Sequence, residues 1–340
     1  MNILLESRAF YPSVGGLEIM AQELGREWEN RGHTVRIVTV TPLDGNPELE
    51  NLDVLRSPSL TEWMRQMEWA DVFFQNGVSL RSLGCAVLSG CPIVFRHPDV
   101  LRPIEDGFDL RNELKRWATT LGTNIASCDA VAEPIRGETV TVPNTVRPIF
   151  QNQLDNGHSD ATRSGLLFVG RLVSIKGVDV AVRALRILRE RGVKQTLTLC
   201  GDGPERTAVR QQVEEYGLTD AVAFEGWTDP EDLVRHYLTA EVTLVPSRYE
   251  PFGIVALEAI ACGCPVVASN TDGLPEAIGD CGLLVPPGNP EALANAIERA
   301  LQPTVRQKLR AVMPAHVERH QIERIAREYL NHIEKTVRES

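Results

Sequence analysis

Short continuous runs of Val, Ile, Leu and Phe recur along the chain, each followed by a stretch with helical spacing. This alternation limits the fold more than any other feature. In the first half the strand-like runs are 2–5, 34–40, 71–75, 92–95, 124–127 and 139–142. In the second half they are 166–169, 196–200, 222–224, 242–245, 265–268 and 283–285. Unbroken apolar runs mark parallel strands covered on both faces. Between the first two, 16–31 reads as a helix stopped by Gly32, since glycine commonly follows a last helical turn. Val178, Ala181, Leu185 and Leu188 form one apolar stripe on a 3.6-residue period. Strands alternating with helices predict doubly wound α/β domains.

A chain of 340 residues exceeds what one hydrophobic core normally organises. The polar, turn-rich stretch 151–164 reads as a linker. We therefore expect a first domain over 1–155 and a second over 156–320. A helical tail over 321–340 follows, with Ile322, Ile325, Tyr329 and Ile333 on a stripe suited to packing back on the first domain. Such sheets bind ligands at the carboxyl ends of their strands, where strand order reverses. Two of them on one chain predict a site in the cleft between the domains.

Composition narrows the function. The net charge of −11 disfavours broad nucleic-acid binding, which draws its affinity from Lys and Arg on phosphates. No apolar run approaches the roughly 18 residues of a membrane span, and the first residues lack a signal peptide's long apolar core. The expectation is a cytoplasmic protein. Its seven cysteines form no C-x-x-C pair and read as buried small hydrophobes.

Three segments carry chemistry. Phe10 to Glu18 brings Gly15 and Gly16 to a strand-to-helix junction, where backbone can approach a ligand and free N–H groups face a phosphate. It is no dinucleotide fingerprint; Gly201-Asp202-Gly203-Pro204-Glu205-Arg206 comes nearest to one and ends in Arg. No P-loop is present. In the second segment, Val169 to Gly177, Arg171 and Lys176 sit between a strand end and a helix start. An arginine fork and a lysine point charge there suit a diphosphate. The third is Pro246 to Ala259. Glu250 precedes a helix starting near Phe252, and Gly253 and Ile254 offer backbone N–H groups. Glu258 lies among Leu257, Ala259 and Ile260, where a carboxylate needs a partner. A ribose's vicinal hydroxyls would be one.

The segment 250–258 resembles the E-x7-E motif of glycosyltransferase family 4, a retaining family with the GT-B fold. Ala261 to Ser269, Gly273 to Glu276 and Gly282 to Gly288 follow in that family's order, as do Gly15-Gly16, Arg31 to Val35, Val142-Pro143-Asn144 and the Arg171/Lys176 pair. The resemblance is strong over 165–300 and looser over 45–140. Thr145 stands where the family usually has Gly. The resemblance implies two Rossmann-like domains facing a cleft. It places Gly15 and Gly16 against the donor, and Arg171 and Lys176 on its diphosphate. Glu250 with the backbone of Phe252, Gly253 and Ile254 would hold the donor sugar, and Glu258 the ribose. It implies His97, after the strand 92–95, beside the reacting sugar, and no metal.

The expected activity is metal-independent transfer, with retention, from a nucleotide-diphosphate sugar to an acceptor hydroxyl, giving an α-linkage. A UDP-sugar is favoured and a GDP-sugar next. Catalytic residues would be His97, Arg171, Lys176 and Glu250, with no cofactor besides the donor. The acceptor would be a sugar, a lipid-linked or a small molecule, with at most peripheral membrane contact through 111–117. The rivals are a nucleotide-sugar epimerase, a phosphorylase and a non-catalytic nucleotide-sugar-binding protein. His33 reads as structural. His316 and His320 share zinc-ligand spacing but lack a third ligand.

Overall fold

The computed structural model describes residues 1–12, 15–43, 52–101, 110–151, 153–154 and 163–340. The chain forms two units, one built from Met1–Thr145 with Ile322–Ser340 and the other from Val146–Gln321. Most of the expected linker 151–164 lies outside the described residues, as do Ser13 and Val14 of the glycine loop. The structure divides the chain earlier than residue 155. Val146 and Phe150 are already fully buried in the second unit, so the polar stretch that drew the expected boundary lies inside it.

The first unit holds a seven-stranded sheet in the order β3-β2-β1-β4-β5-β6-β7. Its strands are β1 (Asn2–Ser7), β2 (Thr34–Thr39), β3 (Asp53–Arg56), β4 (Val72–Asn76), β5 (Ile93–His97), β6 (Thr123–Ala126) and β7 (Thr139–Thr141). All pairings are parallel. The central β4 and β5 are buried along their whole length, which explains the apolar runs 72–74 and 93–95 that open them. Edge strand β3, Asp-Val-Leu-Arg, is half-exposed and has no such run; it is the strand that apolar runs do not reveal.

Helices Gly16–Asn30 and Ile322–Glu339 pack against each other in this unit. Ile322, Ile325, Ala326, Tyr329, Leu330 and Ile333 of the latter are buried, at the spacing of one helical stripe. Trp28 Nε1 donates to the Ala326 carbonyl at 3.1 Å, and its ring meets Phe74 edge-on. Burying each such side chain contributes roughly 1.5–3 kcal/mol. Helix Leu60–Trp69 starts with a capping box, in which Ser59 and Glu62 satisfy each other's backbone N–H groups. Helix Leu110–Ala118 leaves Leu110, Leu114 and Trp117 exposed.

The second unit has a six-stranded sheet in the order β10-β9-β8-β11-β12-β13. The strands are β8 (Leu166–Val169), β9 (Leu197–Cys200), β10 (Val222–Gly226), β11 (Val242–Val245), β12 (Val266–Ser269) and β13 (Gly282–Val285). These too pair in parallel. Helix Val178–Glu190 buries the predicted stripe, with Val178, Ala181, Leu185 and Leu188 fully covered. Strand order reverses between β1 and β4 in the first sheet and between β8 and β11 in the second. Those reversals point to the carboxyl ends of these strands.

All seven cysteines are buried free thiols. Among the described residues, no helix is long and apolar enough to cross a membrane.

Candidate functional site

In the second unit, the loops leaving β8 and β11 lie against each other. Gly177 caps helix Val178–Glu190 with φ +68°, and a Cβ there would lie 2.1 Å from the Pro246 carbonyl oxygen. Only glycine fits both the left-handed backbone and the contact. Arg248 ties the loops together. Its N–H donates to the Ile175 carbonyl at 2.7 Å, and its guanidinium donates to the Ser174 carbonyl at 2.6 Å. The same group binds both Asp179 oxygens, at 2.8 and 2.7 Å. Burial alone would raise the Asp179 carboxyl, yet Arg248 and Arg183 hold it below the usual range. Sequence reasoning missed this clamp: Arg248 lies in the segment 246–259, but its partner Asp179 comes from a distant part of the chain.

The clamp fixes the loop that carries Lys176. Lys176 Nζ donates to Glu250 Oε2 at 2.6 Å, and Ser247 Oγ donates to the same oxygen at 3.2 Å. The pair is partly open, with side-chain exposures of 26% for Lys176 and 14% for Glu250. The backbone of Glu250 is held as well, its N–H by Asp272 Oδ2 at 3.1 Å and its carbonyl by the Gly273 N–H at 3.2 Å. Immediately beyond, Gly253 (φ +108°) caps helix Ile254–Ala261 and has no side chain to bind the first N–H groups. A Cβ at Gly253 would meet Leu274 at 2.6 Å. Phe252 is buried against the His320 ring, 6.1 Å between centroids. Arg171 is exposed, and its carbonyl accepts from the Val173 N–H at 2.9 Å.

The structure thus brings Lys176, Glu250, Gly253 and Ile254 together at the switch point. A cation beside an uncapped helix start favours an anion there. The adjacent carboxylate accepts hydrogen bonds from hydroxyls.

Glu258 sits differently. It is 2% exposed, with Arg147 Nε 2.6 Å from Oε1 and the Tyr237 hydroxyl 3.3 Å from Oε2. Burial raises its carboxyl, opposed by these two partners. The expectation put a ribose on this group; the structure puts an arginine and a tyrosine on it. Arg147 was not among the expected site residues, and its separation from Glu258 along the chain leaves no sequence signal.

In the first unit, Gly15 caps helix Gly16–Asn30 in extended backbone (φ −165°), with no side-chain capping bond. The helix start lies beside β4, where Asn76 Nδ2 donates to the Leu17 carbonyl at 2.9 Å and to Ser7 Oγ at 3.1 Å. His97 ends β5 but is only 1% exposed. Its Nε2 lies 2.9 Å from Asn124 Oδ1. Asn124 Nδ2 donates to the carbonyls of Thr119, Gly122 and Glu138, which fixes the amide and makes Nε2 the protonated nitrogen. Burial, and the neighbouring Arg96 charge, push the imidazole down to about 4, despite the Asn124 bond. The ring is therefore neutral at physiological pH and held by Asn124 within the first unit.

This has a measurable sign. The unfolded chain takes up a proton near pH 6.5, whereas folded His97 does so only near 4. His97 therefore costs stability progressively as pH falls from about 6.5 towards 4. In an NMR histidine titration its ring signals should stay unshifted from pH 8 to 5; a midpoint near 6.5 would contradict the buried geometry.

His316 and His320 stack at 4.8 Å, and His316 Nε2 lies 2.8 Å from the Ala277 carbonyl. Among the described residues no group of three or more potential metal ligands occurs.

These features agree with known proteins. Residues 151–315 match the family described as "Glycosyl transferases group 1". The match lies within the second unit and covers just under half of the chain, which as a whole takes a GT-B fold of two Rossmann-like units. Among curated relatives, D-inositol 3-phosphate glycosyltransferase from Acidothermus cellulolyticus is 42% identical over 167 residues, 45% of this chain and 37% of that protein. The chain's match thus spans under half the length of such relatives. Among solved structures, HepE of Anabaena in complex with UDP aligns with a TM-score of 0.83 at 21% identity, covering 98% of this chain and 100% of that one. Sucrose-phosphate synthase from Thermosynechococcus elongatus aligns at 0.80 and 24% identity, covering both chains fully, 100% of each.

Proposed function

We propose that the protein is a retaining glycosyltransferase that takes its sugar from a nucleotide-diphosphate sugar. The observation that carries this reading is the Lys176–Glu250 pair, 2.6 Å apart, beside the uncapped start of helix Ile254–Ala261. Lys176 and Arg171 neutralise the diphosphate, assisted by the helix dipole. Glu250 and the backbone of Phe252, Gly253 and Ile254 hold the sugar, and Glu258 takes the ribose. Gly15 and Gly16 offer backbone N–H groups to the donor. His97, buried and with its imidazole pushed down to about 4, is a poor proton acceptor.

In the reaction the bond from the anomeric carbon to the diphosphate oxygen breaks. The acceptor oxygen bonds to the same face of that carbon, and its proton passes to the departing diphosphate. No metal or cofactor is needed, because the cations take the leaving group's charge. A UDP-sugar is favoured, supported by structural neighbours solved with UDP and with UDP-glucose. The acceptor is a sugar, a lipid-linked or a small molecule.

The test is a thermal-shift panel of UDP, GDP, ADP and their sugars, with and without EDTA. Specific binding at a hundred times Kd stabilises the fold by about 2.7 kcal/mol. One nucleotide class should raise Tm, unaffected by EDTA. No shift with any of them would remove the donor site and favour a non-catalytic protein.

A further inference from the structure

Glu258 is a carboxylate with almost no contact with water, and two other segments hold it. Arg147 Nε reaches Oε1 at 2.6 Å, and the Tyr237 hydroxyl reaches Oε2 at 3.3 Å. The guanidinium lies over Phe150, 4.6 Å from the ring centroid, and Phe150 packs edge-on against Tyr237 at 5.7 Å. The arginine is thus fixed by packing as well as by charge, yet its side chain remains 18% exposed. A carboxylate offers about four lone-pair positions. Arg147 and Tyr237 occupy one on each oxygen, which leaves the others in fixed directions.

We propose that Arg147 is a positioning residue of the donor site: it keeps the Glu258 carboxylate ionised and oriented, so that its remaining lone pairs accept hydrogen bonds from the vicinal hydroxyls of the donor's ribose. The inference rests on the donor site proposed above and adds a residue to it. Its physical basis is the expense of an unpaired charge in a dry site. Without Arg147, burial drives Glu258 towards its protonated form. A protonated carboxyl becomes partly a donor and loses acceptor capacity towards hydroxyls.

The other ionisable groups near this helix do not take over the role. Arg163 donates to the carbonyls of Tyr237 and Cys262, each at 2.8 Å, and Cys262, pushed up by burial, stays a neutral thiol. Strands β11 and β12, packed on the helix, carry no ionisable side chain. From helix Pro303–Arg319, Arg310 Nε donates to the Gly263 carbonyl and His316 is bonded to Ala277. Glu276 on helix Leu274–Ile278 is exposed.

The experiment measures binding of UDP, GDP and ADP by calorimetry at pH 6, 7 and 8. The nucleotide that binds the natural protein is then titrated into Arg147→Gln, Arg147→Lys and the double variant Arg147→Gln/Glu258→Gln, each with a melting curve. The natural protein and Arg147→Lys should bind with little pH dependence. Arg147→Gln should bind more weakly as pH falls, by up to about tenfold per unit, the limit for one proton. Relative to the natural protein its Tm should move the opposite way and rise as pH falls, because its folded state then holds a proton that the unfolded state lacks. The double variant, with no carboxylate at this position, should follow the natural protein's pH profile in both.

A purely structural role predicts a pH-independent loss in Arg147→Gln, and that result, or unchanged binding, overturns the proposal. If Arg147→Gln does not fold, Tyr237→Phe perturbs the same carboxylate more gently. It should shift both profiles in the same directions by a smaller amount, and flat profiles there overturn the proposal equally. Failure of the natural protein to bind any of the three nucleotides is a distinct outcome, which removes the donor-site reading itself and this inference with it.

Discussion

Lys176→Ala should lower turnover by about a hundredfold to a thousandfold, the usual effect of removing one group that meets charge developing in a transition state. Donor KM should change much less. Negative charge grows on the departing diphosphate as the sugar leaves, so a cation beside it gains most of its interaction in the transition state. The Glu250 contact sharpens the expectation. Lys176 Nζ is tied to Glu250 at 2.6 Å, and the loop carrying it is clamped by Arg248 on Asp179, so the ammonium needs no reordering on binding. Lys176→Arg should recover part of the rate, since it restores the charge with altered geometry. Donor hydrolysis without added acceptor supplies a reaction to measure before any acceptor is known. Equal turnover in Lys176→Ala would mean that the leaving group is stabilised elsewhere.

Arg96→Ala should cost on the order of 3–5 kcal/mol in urea unfolding, since three buried polar groups each lose a hydrogen bond at about 1–3 kcal/mol per group. Arg96 is 2% exposed at the end of β5. Its Nη1 donates to Asn76 Oδ1 and its Nη2 to Asn144 Oδ1, both at 2.6 Å, while Nε lies 3.2 Å from the Tyr329 hydroxyl. Truncation removes its bonds to all three and opens a cavity besides. Tyr329→Phe removes only the 3.2 Å contact and should cost far less. A small loss in Arg96→Ala would show that water replaces the guanidinium.

Central strands were legible because burial on both faces favours unbroken apolar runs, as in Leu166–Val169. Asp53–Arg56 was not, since an edge strand needs no such run. Lys176, Glu250 and Gly253 were legible because their chemistry is local: a strand end, a charge and a helix start within a few residues. His97 was named through the family resemblance, and its burial depends on Asn124 from the next strand and on the loops around it. The same strand carried the clearer anomaly. Arg96, a charged residue inside Ile93–His97, had to be fully partnered, and its partners Asn76, Asn144 and Tyr329 come from three separate parts of the chain. Arg147 and Arg248 escaped notice for the same reason, their partners being settled by tertiary structure.

The path of the chain also has a consequence for biosynthesis. The first unit is built from Met1–Thr145 and Ile322–Ser340, so the second is inserted within it. Chains are made from the amino end, and domains generally fold in that order as they emerge. Here the earlier unit lacks Ile325, Tyr329 and Ile333, all fully buried in its core, until the ribosome has passed the whole insert. The inserted unit can therefore complete its fold first, while the nascent first unit still presents an open apolar face to chaperones.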